Sequence, residues 1–391
     1  MSAPPAGRRP GDDTACKAMI MAAGLGTRLY PLTGRTAKPM VPILNRPVME
    51  HMLNLLRRHG IRQVAANLHY HPDKIRTYFG DGSGFGMELT YNVEAELLGT
   101  AGGVGAFRDF FAGGTFVVVS GDGLTDIDLT AFVTAHKRNG GIATLAVKQV
   151  ADPSLYGVVV CDAGDRITGF QEKPPHGEAL SDVCNTGIYA FEPAIFDYVP
   201  PGAFVDWAKD VFPALLAHGA PFHRWLLDTY WNDVGNIEQY RVSNFDALLG
   251  LVEVDVPGRS VSPGVWVGEG TQIEPGVRIE APVLVGAGCF IEAEAELLGP
   301  LIIGDGCVIE RGAVLEGAIN WAGVKAGRGS RMEGSILGRN VVVHHEAEVH
   351  EDAVIGDRSE VSGHALVPPG ARVEPRSCVR PDGSFTSIGP E

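Results

Sequence analysis

Aliphatic residues recur at every sixth position through the last third of this chain, a spacing that few folds can use. They are Val267, Ile273, Ile279, Val285, Ile291, Leu297, Ile303, Ile309 and Leu315, then Leu337, Val343, Val349, Ile355, Val361, Val367, Val373 and Val379. A strand alternates its side chains with a period of about two and a helix repeats every ~3.6 residues, so neither produces this pattern. Six residues make one short strand and one turn. Stacked repeats of that kind form a β-helix, a coil whose inward aliphatic side chains lie over one another. Glycine often follows the apolar residue, as in Val267-Gly268, Val285-Gly286, Ile303-Gly304 and Ile355-Gly356. With 45% of residues hydrophobic, runs this long in one phase are rare by chance. The period lapses over residues 316–336 and resumes in a shifted phase, so that stretch, which carries Trp321, is expected to protrude as a loop or bend the coil.

The first two thirds read differently. Short apolar runs at 18–23, 63–68, 88–93, 115–120 and 144–148 alternate with amphipathic stretches such as 47–59 and 128–138. That alternation predicts a doubly wound α/β sheet with helices on both faces. Residues 156–170 read as a hairpin, expected to be laid over the active site. A length of 391 residues suits two domains. Residues 1–16 are expected to be a flexible arm, 17–250 a catalytic domain and 251–391 the repeat domain. The net charge of −15 argues against duplex nucleic acid as a partner. No run is long and apolar enough for a membrane span. The six cysteines lack metal-ligand spacing and suit a reducing compartment, so the chain is read as cytoplasmic.

The first apolar run leads into Ala23, Gly24, Gly26, Thr27 and Arg28, then Pro31-Leu-Thr33, with Lys38-Pro39 ten residues after the arginine. Glycines after a strand let backbone N–H groups turn toward phosphate oxygens, and Arg28 and Lys38 add two cations. Ser120-Gly121-Asp122 ends a very apolar strand, and ligands of open α/β sheets bind at the carboxyl ends of strands. A carboxylate placed there suits a hard cation that also touches phosphate. A second candidate is Asp233, in Tyr230-Trp-Asn-Asp233-Val-Gly235. Asp128 precedes a helical stretch and is read as its N-cap.

Gly-x-Gly-Thr-Arg, Pro-Leu-Thr and Lys-Pro in this order resemble the sugar-1-phosphate nucleotidyltransferases, most closely the mannose-1-phosphate guanylyltransferase-like members with a C-terminal left-handed β-helix. The resemblance implies a Rossmann-like mixed sheet followed by that β-helix. It also implies condensation of a nucleoside triphosphate with a sugar 1-phosphate to give an NDP-sugar and pyrophosphate. By the same resemblance Ala23, Gly24, Gly26, Thr27 and Arg28 surround the nucleotide, Arg28 and Lys38 stabilise the leaving phosphates, and Asp122 and Asp233 bind Mg²⁺. Glu172 in Gln171-Glu-Lys173-Pro would accept sugar hydroxyls and Lys173 would hold the sugar's phosphate. Tyr156-Gly157 and Asn185-Thr186-Gly187 match further sugar-pocket segments, and Glu94 to Gly99-Thr100 matches the segment that faces the base.

A carboxylate only accepts, and guanine offers two adjacent donors, so Glu94 favours GTP, with a mannose 1-phosphate-like substrate. The alternatives are transfer of a thymidylyl, uridylyl or adenylyl group to glucose 1-phosphate or an unusual sugar or cyclitol phosphate. Two more are a β-helix that also transfers acyl groups and a non-catalytic, ligand-sensing homologue. His344, His345, His350 and His364 are read as solvated turn residues. Self-association through the β-helix is expected.

Overall fold

The computed structural model describes residues 16–387, so the arm expected over residues 1–16 lies outside the described residues apart from Cys16. The chain forms two compact units that are discontinuous in sequence. The first takes the described residues up to Gly24 together with Met52–Trp231, and the second takes Leu25–His51 and the chain from Asn232 onward. Among the described residues no helix is long and apolar enough to cross a membrane.

The first unit is built on a nine-stranded sheet. Strands β1 (Lys17–Met21), β2 (Gln63–Leu68), β3 (Glu88–Val93) and β4 (Phe116–Ser120) are parallel in the order β4-β1-β2-β3. Met19, Ile20, Val117, Val118 and Val119 are all fully buried, as a parallel sheet covered on both faces requires. Next come β5 (Ala143–Gln149), β6 (Gly157–Cys161), β7 (Ile167–Glu172), β8 (Val183–Phe191) and β9 (Phe222–Leu226). β8 runs antiparallel to both β4 and β5, while β9 is parallel to β5, so the sheet is mixed. The hairpin of β6 and β7 forms where the sequence places it. It continues the sheet beyond β8, through Cys184 opposite Val158.

Three helices matter below: α1 (Gly99–Gly105), α2 (Leu129–Asn139) and α3 (Ile237–Leu248). α2 shows why such segments start and stop where they do. The Asp128 side chain caps its N-terminus by accepting from Ala131 N at 2.9 Å, basic residues fill its last turn, and Gly140 ends it at φ 64°.

In the second unit the repeats form a three-faced parallel β-helix with strand ladders of eight, eight and six strands. Antiparallel strands Arg259–Ser262 and Phe385–Ser387 close one ladder at each end. The expected loop or bend at 316–336 does not occur. Leu315 stacks on Met332, Ile309 on Ala326, and Ile303 on Asn320, which in turn stacks on Leu337. The inward position therefore continues through Asn320, Ala326 and Met332, and two corners are each one residue short. Neighbouring turns here are 17 residues apart (Ile302 to Ile319 to Ile336), against 18 elsewhere (Val283 to Leu301, Ile336 to Val354). Gly317 and Gly334, at φ 59° and 52°, make the two tight corners. The six-residue period is hidden here because its inward residues are polar, small or unbranched and because the spacing shortens to five at the two corners.

Asn320 occupies an inner ladder between Ile303 and Leu337, is fully excluded from solvent at 0% exposure, and neither amide atom has a hydrogen-bond partner among the described residues. Leucine has the same number of side-chain heavy atoms and no polar group to desolvate. Asn320→Leu is expected to stabilise the protein by about 1–3 kcal/mol, read as a higher denaturant midpoint at unchanged slope. A lower midpoint would mean that the amide is satisfied.

Candidate active site

In the first unit the carboxyl ends of β1 and β4 lie side by side, with Met21 opposite Ser120. Gly121 N–H donates to Met21 O at 2.9 Å, and a Cβ on Gly121 would stand 2.9 Å from Ile20 Cγ2 and 3.0 Å from that oxygen. Only glycine allows the chain to turn here, and the turn leaves Asp122 half-buried. Ser120 Oγ donates to Asp122 Oδ1 and fixes the carboxylate's orientation.

The segment expected to face the base is engaged with protein. Glu94 is 5% exposed; its Oε1 accepts from Asn67 Nδ2 at 2.7 Å and its Oε2 from Leu98 N at 3.0 Å. Asn67 Oδ1 in turn accepts from Ala22 N at 3.0 Å. A Cβ on Gly103 would meet Asn67 Nδ2 at 2.5 Å and Glu94 Oε1 at 2.6 Å, so α1 packs directly on this chain of bonds. Glu94, expected to accept from guanine, accepts from Asn67 and Leu98 and braces the loop after β1. Gly99 and Thr100 are held in the same way. Gly99 has φ 77° and its Cβ position lies 2.4 Å from Val205 O, while Thr100 Oγ1 donates to Asp206 Oδ2 and accepts from Trp207 N, both at 2.9 Å. Glu94→Gln would set an NH₂ group against a donor. We expect a loss of about 1–3 kcal/mol in urea unfolding with base preference unchanged. Unchanged stability with an altered preference would return Glu94 to the base site.

The sugar-side residues gather elsewhere in this unit. Gly157 and Glu172 are partners across the β6–β7 hairpin, and a Cβ on Gly157 would stand 3.0 Å from Glu172 Oε2 and 2.6 Å from Phe170 Cζ. Lys173 N–H donates to Tyr156 O at 3.1 Å, and Lys173 adopts φ 44°, a conformation that costs a non-glycine residue energy and often marks a functional position. Its ammonium is exposed and 3.9 Å from Glu172 Oε1. The register of β8 breaks between Asn185 and Ile188, a bulge in which Asn185 Oδ1 accepts from Gly187 N and Gly187 has φ 78°. The bulge brings Gly187 toward Ser120, whose Cβ would lie 3.9 Å from an added Cβ. Trp231 was not singled out from sequence, although it sits inside the motif quoted for Asp233. Its indole N–H donates to Thr186 O at 3.0 Å and its ring packs edge-on against Tyr156 at 5.5 Å.

The second unit assembles the basic residues. Gly26 has φ 67°, and a Cβ there would be 2.9 Å from Lys38 Cβ; Thr33 Oγ1 holds Gly26 O at 2.8 Å. Thr27 and Arg28 are exposed, whereas Lys38 is only 7% exposed. Lys38 Nζ lies 3.6 Å from Asp233 Oδ1. A Cβ on Gly235 would lie 3.0 Å from Asp233 Oδ2 and 3.3 Å from Arg28 Nη1. Residues separated by some two hundred positions thus form one cluster of Arg28, Lys38 and Asp233. Gly235, which closes the motif that contains Asp233, leaves room for it.

Asp122 belongs to the first unit and Asp233 to the second. Each offers hard carboxylate oxygens, and each is incompletely buried. Among the described residues no group of three or more His, Cys, Asp or Glu could hold a metal.

The nucleotidyl transferase family model matches residues 17–248, more than half of the chain. The chain belongs to the nucleotidyl transferase family. This transferase is 43% identical over 270 residues to a UTP–glucose-1-phosphate uridylyltransferase of Synechocystis, a match covering 64% of this chain and 69% of that protein. It is 34% identical over 284 residues to a mannose-1-phosphate guanylyltransferase of Mycobacterium tuberculosis, covering 67% and 78%. Among solved structures, a Bacillus anthracis protein crystallised with sucrose and provisionally assigned as a glucose-1-phosphate thymidylyltransferase superposes with TM-score 0.56 at 26% identity. That match covers 61% of the transferase and 97% of the other chain.

Proposed function

We propose that this transferase condenses a nucleoside triphosphate with a sugar 1-phosphate, releasing pyrophosphate and an NDP-sugar. The observation that carries this reading is the cluster of Arg28, Lys38 and Asp233 beside the glycine loop, with Lys38 Nζ 3.6 Å from the carboxylate. In the proposed reaction an oxygen of the sugar's phosphate attacks the α-phosphorus of the nucleotide. The bond from that phosphorus to the bridging oxygen breaks, and the electron pair leaves on pyrophosphate. A phosphate monoester has its second pKa at about 6, so the attacking oxygen is already anionic near neutrality and needs no protein base. The obstacle is repulsion between two anions. Arg28 and Lys38 would take up charge on the departing phosphates, Lys173 would hold the sugar's phosphate, and Glu172 would accept from sugar hydroxyls. Asp122 and Asp233 would hold a divalent cation, proposed to be Mg²⁺, which supplies further charge neutralisation on phosphate oxygens.

For the base and sugar we propose UTP and glucose 1-phosphate, supported by the 43% identity to the Synechocystis enzyme. GTP with mannose 1-phosphate is the second reading, supported by the Mycobacterium tuberculosis relative. Pyrophosphate release with UTP, GTP, dTTP and ATP, each against glucose and mannose 1-phosphate, tests both. The highest kcat/KM is expected for UTP with glucose 1-phosphate, while a maximum at GTP with mannose 1-phosphate favours the second reading. Release from no pair would remove the activity. Self-association through the β-helix belongs to the same proposal.

A further inference from the structure

Within the second unit, the segment that carries Lys38 is tied to the β-helix on both sides of that residue. On one side, Tyr240 Oη on α3 donates to Pro42 O at 2.8 Å and accepts from Trp321 Nε1 at 2.8 Å. On the other, Arg339 Nη1 donates to Thr36 Oγ1 at 3.2 Å, and its guanidinium lies over the Trp321 ring at 4.8 Å. Trp321 is thus common to both tethers. Tyr240 is fully buried, and Trp321 and Thr36 are each 1% exposed. Trp321 follows the inward residue Asn320, the place that Gly304 and Gly338 take after Ile303 and Leu337 in the adjoining turns. One turn of the coil has therefore exchanged a glycine for the side chain that the catalytic segment is fastened to.

We propose that Trp321, Tyr240 and Arg339 are positioning residues for Lys38, so that the β-helix sets the placement of a cation used in the reaction. This rests on the function proposed above. A cation that stabilises leaving phosphates acts only from a fixed position, because displacement by about 1 Å can cost on the order of 10²-fold in rate. Lys38 has a tether two residues before it and another four residues after it, and a buried network resists reorientation better than a single contact.

The test uses the full-length protein with Tyr240→Phe and Arg339→Gln, which cut the two tethers separately while keeping the Tyr240 and Trp321 rings in place. Each is expected to lower kcat about 10-fold, with KM for the sugar 1-phosphate unchanged. Because they act through Lys38, neither should cause further loss when combined with Lys38→Met. A purely structural role would give additive losses or move KM with kcat. Wild-type kcat in both variants, or a further 10-fold loss in the Lys38→Met background, would overturn the proposal while leaving the function standing. Should the unaltered protein release no pyrophosphate, the function falls instead. The tethers are then judged by hydrogen exchange of residues 36–42, which should quicken in both variants, and unchanged exchange rejects them.

Discussion

Asp122→Asn is expected to lower turnover by about 10²–10³-fold, equivalent to about 2.7–4 kcal/mol of transition-state stabilisation, with the unfolding midpoint within a few degrees of the parent. The substitution removes a charge and almost nothing else. Asparagine keeps the shape of the side chain and an oxygen that can accept from Ser120 Oγ. The strand beneath it is held by Val117, Val118 and Val119, all fully buried, and none of that packing changes. The lost quantity is a carboxylate able to hold a divalent cation, and the affected step is the approach of two anions. Initial rates of pyrophosphate release, measured alongside a thermal melt, separate chemistry from folding. A folded variant that turns over at the parent rate excludes Asp122 from the site.

Gly304→Ala is expected to destabilise the protein by about 3 kcal/mol, whereas Gly306→Ala costs about 1 kcal/mol, although the second glycine has the less usual backbone. A methyl group on Gly304 would stand 2.4 Å from Ala322 N and 2.5 Å from Trp321 C, which are backbone atoms that cannot rotate away. Gly286 and Gly356 face the following turn in the same manner, at 2.6 Å from Asp305 N and Pro375 N. Gly306 has φ 66° but, among the described residues, nothing within 4 Å of its Cβ position, so only backbone strain opposes alanine there. Chemical unfolding of the two variants measures the difference. Equal losses would mean that adjacent turns of the coil can separate to admit the methyl group.

These residues also indicate what the sequence alone could convey. The six-residue period predicts the coil because burial of one aliphatic side chain per repeat is a local demand repeated many times. The same reading went astray at Asn320, Ala326 and Met332, where the inward place is kept by register with the turns on either side. Register of that kind is a property of neighbours far away in sequence. The glycine loop and Asp122 were legible because strand ends and phosphate chemistry restrict residue type strongly. Glu94 was legible as a carboxylate but its partners were not, since Asn67 and Leu98 reach it only after β2 and α1 are in place. Trp231, Gly235 and Tyr240 carry no signal of their own. Their roles arise from what the fold brings beside them.

The tethers around Trp321 bear on how a protein of this architecture can be recombined. The repeats begin near residue 259, but Asn45 Nδ2 donates to Ile303 O, Leu44 N to Asn244 Oδ1, and Arg241 to Asp352 Oδ1 and Gly334 O. A chimera joined at residue 250 would strand α3 and the 36–45 segment against a foreign coil, leaving buried donors and acceptors without counterparts. The exchangeable piece is instead residues 25–51 together with everything after Trp231, so a graft that inherits a coil must inherit its lysine as well.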